Sequence, residues 1–201
     1  MKILLVRHGE TASNIERIVQ LPETPLNERG RLQAQRLARR LATLDVGRVL
    51  SSDLARARQT AEGLGATSAV ELEPLLQERN FGELRGRTYA SIGRDIFASG
   101  CMPPGGESWE VFHRRVDDAW ARVVARARRC RGTLVVVTHG LVCRSLAERI
   151  LALPQAVGAP SRWGNTSLTV VGAETPWPVE MLNCTAHLDG EAADRTVESG
   201  M

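Results

Sequence analysis

Ile3-Leu4-Leu5-Val6-Arg7-His8-Gly9 and Leu134-Val135-Val136-Val137-Thr138-His139-Gly140 are built alike: four apolar residues, one polar residue, then His-Gly. Continuous apolar runs rich in branched side chains fit strands covered on both faces, as in a parallel sheet. Residues 48–50 form a shorter run of the same type. Leu168 and Val170 alternate with polar residues, as do Val179 and Met181, which predicts two half-buried strands nearer the sheet edge.

Helical patterns lie between these runs. Ala34, Leu37, Ala38, Leu41 and Leu44 make one apolar stripe; Leu54, Ala57, Ala61 and Leu64 make another, preceded by Ser51-Ser52-Asp53 as source of a cap. Phe112, Val116, Ala119, Trp120, Val123 and Ala127 make the longest, with Ser108 as its cap, and 141–151 is a further helix that stops before Pro154. Alternating strands and helices predict a layered α/β domain. With 201 residues the chain suits one domain, placed over 1–188, and 189–201 lack apolar periodicity and read as a flexible tail.

In a sheet covered on both faces, ligands bind at the carboxyl ends of the strands. Three such ends carry polar residues here: Arg7-His8-Gly9, Ser51-Ser52-Asp53 and Thr138-His139-Gly140. Glycine after each histidine permits a tight turn and close approach of a ligand to its N–H. Adjacent parallel strands would bring the two imidazoles within several Å. Arg7 adds one guanidinium, Arg56 on the first turn of the following helix adds a second, and that helix's amino end favours an anion. Together these groups suit a dianionic phosphoryl group. Two nearby guanidinium charges keep His8 neutral and nucleophilic. A leaving alkoxide needs a proton, for which Glu78 is the candidate; the same residue also reads as a surface carboxylate paired with Arg79.

The remaining composition narrows the function. The net charge of +3 implies no polyanion partner, so no nucleic acid is expected. Lys2 is the only lysine; the other 25 basic residues are arginine. The four cysteines lack C-x-x-C spacing, and the donor set predicts neither a metal nor a cofactor. The apolar run at 3–6 is too short for a signal peptide or a membrane span, which predicts a cytoplasmic protein without membrane contact. The four tryptophans read as core or rim, His113 as solvated, His187 as a strand-end packing residue, and Arg114, Arg115, Arg128, Arg129 and Arg131 as exposed charge.

The ordered set of motifs resembles the histidine phosphatase superfamily, the phosphoglycerate mutase-like proteins. Leu5-Val6-Arg7-His8-Gly9-Glu10-Thr11 matches the signature of that family. Further matches are Thr24-Pro25-Leu26-Asn27 with Gly30, then 51–61, Gly105-Gly106-Glu107-Ser108, Val137-Thr138-His139-Gly140 and Asn165-Thr166-Ser167. The stretch from Leu182 to Leu188 resembles the family's last strand, with Cys184 where Asp is common. The resemblance spans 1–188. It implies a three-layer α/β/α sandwich with a mostly parallel sheet, and a phosphohistidine on His8. It also implies Glu78 as proton donor, His139 as a catalytic partner, and Arg7, Asn14, Arg56 and Gly140 as phosphate ligands.

Within the family, only 26 residues (79–104) separate Glu78 from Gly105, fewer than mutases generally carry. A shorter segment implies a more open site that water can enter. The size and the stretch Pro103-Pro104-Gly105-Gly106-Glu107-Ser108 resemble the α-ribazole phosphatase and broad-specificity phosphatase branch, which implies hydrolysis of a small phosphorylated metabolite, with α-ribazole phosphate as an example. The alternatives are a cofactor-dependent phosphoglycerate mutase and a non-catalytic binding protein of the same fold. Specificity is expected in 79–104, where Arg85, Arg87 and Tyr89 are candidates for contacting the rest of the substrate, and in the loop after Pro154. Oligomeric state is open, a homodimer included.

Overall fold

One six-stranded sheet organises the chain: β1 (Lys2–Arg7), β2 (Val46–Ser51), β3 (Val70–Leu72), β4 (Thr133–Thr138), β5 (Leu168–Gly172) and β6 (Val179–Cys184), in the order β3-β2-β4-β1-β5-β6. The computed structural model describes residues 1–65, 69–155 and 157–189, so the expected tail lies outside the described residues from 190 onward. β3, β2, β4 and β1 are parallel, and β5 alone runs against the rest. The helices are α1 (Ala12–Ile15), α2 (Glu28–Leu41), α3 (Ala55–Glu62), α4 (Tyr89–Ile92), α5 (Trp109–Ala127) and α6 (Gly140–Arg149).

The two four-residue apolar runs are the central strands β1 and β4, and each buries both faces. Ile3, Leu5, Leu134 and Val136 pack with Phe112, Val116 and Trp120 of α5 and Val142 and Leu146 of α6. Leu4, Val6, Val135 and Val137 pack with Leu37 and Leu41 of α2 and Ala57 and Ala61 of α3. Each such buried Val or Leu contributes about 1.5–3 kcal/mol, so four consecutive apolar residues are needed where a one-sided strand would alternate. The result is the expected α/β/α sandwich. A third, smaller cluster of Val19, Phe81, Leu84 and Ile96 sits over the carboxyl ends of the strands.

Several local expectations are corrected. β5 lies next to the edge strand β6, as expected, but is more than half-buried: Leu168, Thr169 and Val171 are all buried. α2 ends at Leu41, so Leu44 falls outside it and is exposed. α3 is preceded by Leu54 with no side-chain cap; Ser52 serves His139 instead, as shown below. The edge strand β3 has only three residues, too few for a readable pattern. Ser108 does cap α5, accepting from the Val111 N–H at 3.1 Å.

Gly9 is required for packing more than for a turn. A Cβ there would stand 2.6 Å from the Gly30 carbonyl oxygen, and one on Gly30 would stand 2.1 Å from the Glu10 carbonyl oxygen. The loop after β1 thus lies directly on the start of α2, where Asn27 caps the helix by accepting from the Gly30 N–H at 2.7 Å. Both contacts are to backbone that cannot swing aside. Gly30→Ala is expected to cost about 1–3 kcal/mol as overpacking, read as a lower denaturant midpoint at unchanged slope. Activity should fall with it, because the displaced residues directly follow His8.

Candidate active site

The parallel pairing that places Arg7 opposite Thr138 and Ser51 opposite Val137 brings the three polar strand ends together. His8 and His139 follow those positions, and their ring centroids lie 5.2 Å apart. His8 is almost fully buried. Its Nδ1 is 2.7 Å from the Gly9 carbonyl oxygen. A carbonyl only accepts, so Nδ1 carries the proton and Nε2 keeps its lone pair. Burial pushes the His8 pKa well down, with the charges of Arg56 and then Arg7 adding to it. The sequence reading put the arginines first; desolvation is the larger cause.

His139 is fully buried beside His8. Its Nε2 is 2.9 Å from Ser52 Oγ, which also accepts the Leu54 N–H at 3.3 Å. Donating to Nε2 gives the Ser52 hydroxyl its one acceptor and leaves the ring proton on Nδ1. That Nδ1 is buried and has no partner among the described residues. Arg7 Nη1 donates to the Trp163 carbonyl and Arg56 Nη1 to the Leu21 carbonyl, while the Nε of each is buried and unpartnered. Burial lowers the Arg56 pKa to about 10, which still leaves it charged at neutral pH. His139, Arg7 and Arg56 thus converge on His8 with three donors that nothing among the described residues accepts.

A small cavity of about 80 Å³ opens from His8, lined also by Arg7, Asn14, Arg56, Glu78 and Arg85. Asn14 ends its hydrogen bonding through Oδ1, which accepts from the Thr11 N–H at 3.1 Å and Asn165 Nδ2 at 3.2 Å, so its Nδ2 is free to donate. Asn165 Nδ2 also reaches the His8 carbonyl at 3.1 Å. Gly140 opens α6 and lines a wider outer vestibule of about 720 Å³ that shares Arg7, Asn14, Glu78 and Tyr89 with the inner cavity. Of the expected site residues, five therefore line the inner cavity, Gly140 lines its mouth, and His139 adjoins His8.

Glu78 carries the only carboxyl among the described residues of the inner cavity. Its Oε1 accepts from the Arg79 N–H at 3.0 Å and its Oε2 from the Leu141 N–H at 3.2 Å. Burial raises its pKa, outweighing these two hydrogen bonds and the charges of Arg56 and Arg7. The alternative reading, a surface carboxylate paired with Arg79, is corrected. The Arg79 guanidinium is buried, donates to the carbonyls of Glu107, Ile96 and Cys101, and stacks 4.0 Å from the Trp109 ring centroid.

Sequence reasoning also missed a clamp beneath Glu78. Arg115, read as exposed charge, is mostly buried: it forks onto Glu107 at 2.7 and 2.8 Å and donates to the carbonyls of Leu75, Gln77 and Glu78. His113, read as solvated, is bonded through Nδ1 to Ser145 Oγ at 2.8 Å and stacks on Trp109. His187 follows β6 and contacts Thr166 Oγ1 at 3.0 Å, outside the cavity. Arg85 and Tyr89 do line the cavity, whereas Arg87 points away and donates to the Ser91 carbonyl. No helix is long and apolar enough to cross a membrane, and no three His, Cys, Asp or Glu side chains group as metal ligands, both among the described residues.

Comparison with known proteins gives a consistent family. Residues 3–185 match the model of the histidine phosphatase superfamily, branch 1. The chain is 32% identical to a protein described as the probable phosphoglycerate mutase GpmB of Enterobacter sp. (strain 638), over 96% of this chain and 98% of that protein. It is 36% identical to phosphoglycerate mutase-like protein 4 of Arabidopsis thaliana, over 97% and 93% of the two chains. Among solved structures, the α-ribazole phosphatase of Shigella flexneri superposes with a TM-score of 0.79 at 26% identity, covering 92% of this chain and 97% of that one.

Proposed function

The chain belongs to the histidine phosphatase superfamily, and from that membership and the site geometry we propose that it hydrolyses phosphate monoesters of small metabolites through a phosphohistidine on His8. The observation that carries this reading is the hydrogen bond from His8 Nδ1 to the Gly9 carbonyl, which fixes Nε2 as a free lone pair in a cavity lined by Arg7 and Arg56. In the first step the Nε2–P bond forms as the P–O ester bond breaks, and Glu78 protonates the leaving oxygen. In the second, Glu78 takes a proton from water, the water oxygen bonds to phosphorus, and His8 leaves with the N–P electron pair. Arg7, Arg56, Asn14 and His139 Nδ1 supply donors to the transferring oxygens, with the start of α6 at Gly140 adding its dipole.

A mutase shares the first step, and the names of two relatives point to it. It must hold its phosphohistidine away from water until a second acceptor arrives. The wide vestibule outside the inner cavity favours hydrolysis instead. Incubation with 3-phosphoglycerate separates the two: inorganic phosphate is the expected product, and 2-phosphoglycerate formed without phosphate release would overturn the hydrolase reading. The assay should include α-ribazole phosphate. Turnover is expected to survive EDTA, because two guanidinium charges face the phosphoryl site and no three His, Cys, Asp or Glu side chains group there as a metal site among the described residues. Loss on chelation with recovery on adding a divalent metal would contradict this.

A further inference from the structure

Arg85 has a place in the inner cavity that phosphoryl binding does not use. It follows the one-turn helix Gly82–Leu84 and is half-buried, and its guanidinium makes no hydrogen bond or ion pair among the described residues. The other arginines nearby are tethered: Arg7 and Arg56 to carbonyls beside His8, and Arg79 to three carbonyls behind the wall. Arg85 shares the cavity lining with Glu78, the group that faces the leaving oxygen. Tyr89, whose hydroxyl also makes no hydrogen bond among the described residues, lines both the inner cavity and the vestibule.

Charge balance identifies what fits. A phosphoryl dianion offsets Arg7 and Arg56, and Glu78 acting as an acid is neutral. Arg85 is then a cation in a partly desolvated cavity without a counter-charge, an unfavourable state that an anionic ligand group relieves. We propose that Arg85, aided by the Tyr89 hydroxyl, selects phosphomonoesters whose leaving group carries a second acidic group, a carboxylate or another phosphate. This rests on the phosphatase reading and narrows it. It disfavours α-ribazole phosphate, whose leaving group is neutral, as the preferred substrate.

The test compares kcat/KM for 3-phosphoglycerate with that for glycerol 3-phosphate, with p-nitrophenyl phosphate as a reference. Wild type is expected to prefer the carboxylate-bearing ester. Arg85→Gln should lose about 10- to 100-fold with it, the worth of one charge-assisted hydrogen bond, and far less with the two neutral-leaving-group esters. Arg85→Lys, which keeps the charge without the fork, should fall between. Equal losses on all three substrates, or no preference in wild type, would overturn the proposal. Failure of wild type to turn over any of them would strike the phosphatase reading instead. The Arg85 proposal would then be decided by calorimetric binding of 3-phosphoglycerate and glycerol 3-phosphate to the His8→Ala protein with and without Arg85→Gln: a preference lost with Arg85 supports it, equal affinities refute it.

Discussion

His8→Ala is expected to abolish phosphate release, a loss on the order of 10⁴-fold or more, because no second group can accept the phosphoryl. His139 is enclosed, with its Nε2 held at Ser52, and the one carboxyl in the inner cavity is Glu78. Wild type quenched during turnover should carry a phosphoryl group that is acid-labile and base-stable, as a phosphoramidate is, and His8→Ala should carry none. His139→Ala leaves the nucleophile in place and removes one donor, so it should cost less, about 10²- to 10³-fold. The pH dependence adds an independent check. Nucleophilic attack needs neutral His8, and burial together with Arg56 and Arg7 holds its pKa well below 6.5. Protonation therefore removes activity only at pH values well below 6.5, and the acid limb of kcat/KM should lie there. Retained activity in His8→Ala, or an acid limb at an ordinary histidine pKa, would displace His8 from the reaction.

The parts of this site that sequence could supply are those fixed by the strands. The runs at 3–6 and 134–137 announce strands buried on both faces, and His-Gly at each end places both imidazoles at the same edge of the sheet. What sequence could not supply is the choice of partner across the fold. Arg79 and Arg115 look like any other charge on a loop and a helix. Their work lies with carbonyls and a carboxylate contributed by distant segments: Ile96 and Cys101 for one, Leu75, Gln77 and Glu107 for the other. His113 was misread for the same reason, since its helix face is covered by Ser145 of α6. Gly9 was assigned a turn because glycine usually means one, yet its neighbour is Gly30, distant in sequence and invisible to local pattern. Arg115 matters most for chemistry, because it holds the backbone on either side of Glu78 while touching nothing in the cavity.

That support makes the behaviour of Glu78 predictable. As general acid its importance must scale with the basicity of the leaving group. An alkyl phosphate leaves as a strongly basic alkoxide and needs the proton, whereas p-nitrophenolate is stable without it. Glu78→Gln keeps the size of the side chain, and its amide oxygen can still accept from one of the Arg79 and Leu141 N–H groups. It removes the transferable proton. With alkyl substrates the first step should slow by about 10²- to 10⁴-fold, and with p-nitrophenyl phosphate by much less. The comparison must use a burst or single turnover, because both substrates share the hydrolysis of phosphohistidine, where Glu78 also serves as base and steady-state losses converge. The sign of the pH effect follows from the same residue. Burial raises the Glu78 pKa above its usual 4.5, so the acid form persists to higher pH and the first step with alkyl substrates declines as pH rises through that elevated value. The decline should be absent with p-nitrophenyl phosphate and absent in Glu78→Gln. Two other carboxylates nearby are poor substitutes: Glu83 is exposed, and Glu107 is locked in the Arg115 fork and accepts the Asn80 N–H. Equal first-step losses on both substrates would remove Glu78 from the acid role and leave the Arg-lined cavity without an internal proton donor, requiring a solvent proton delivered through the vestibule.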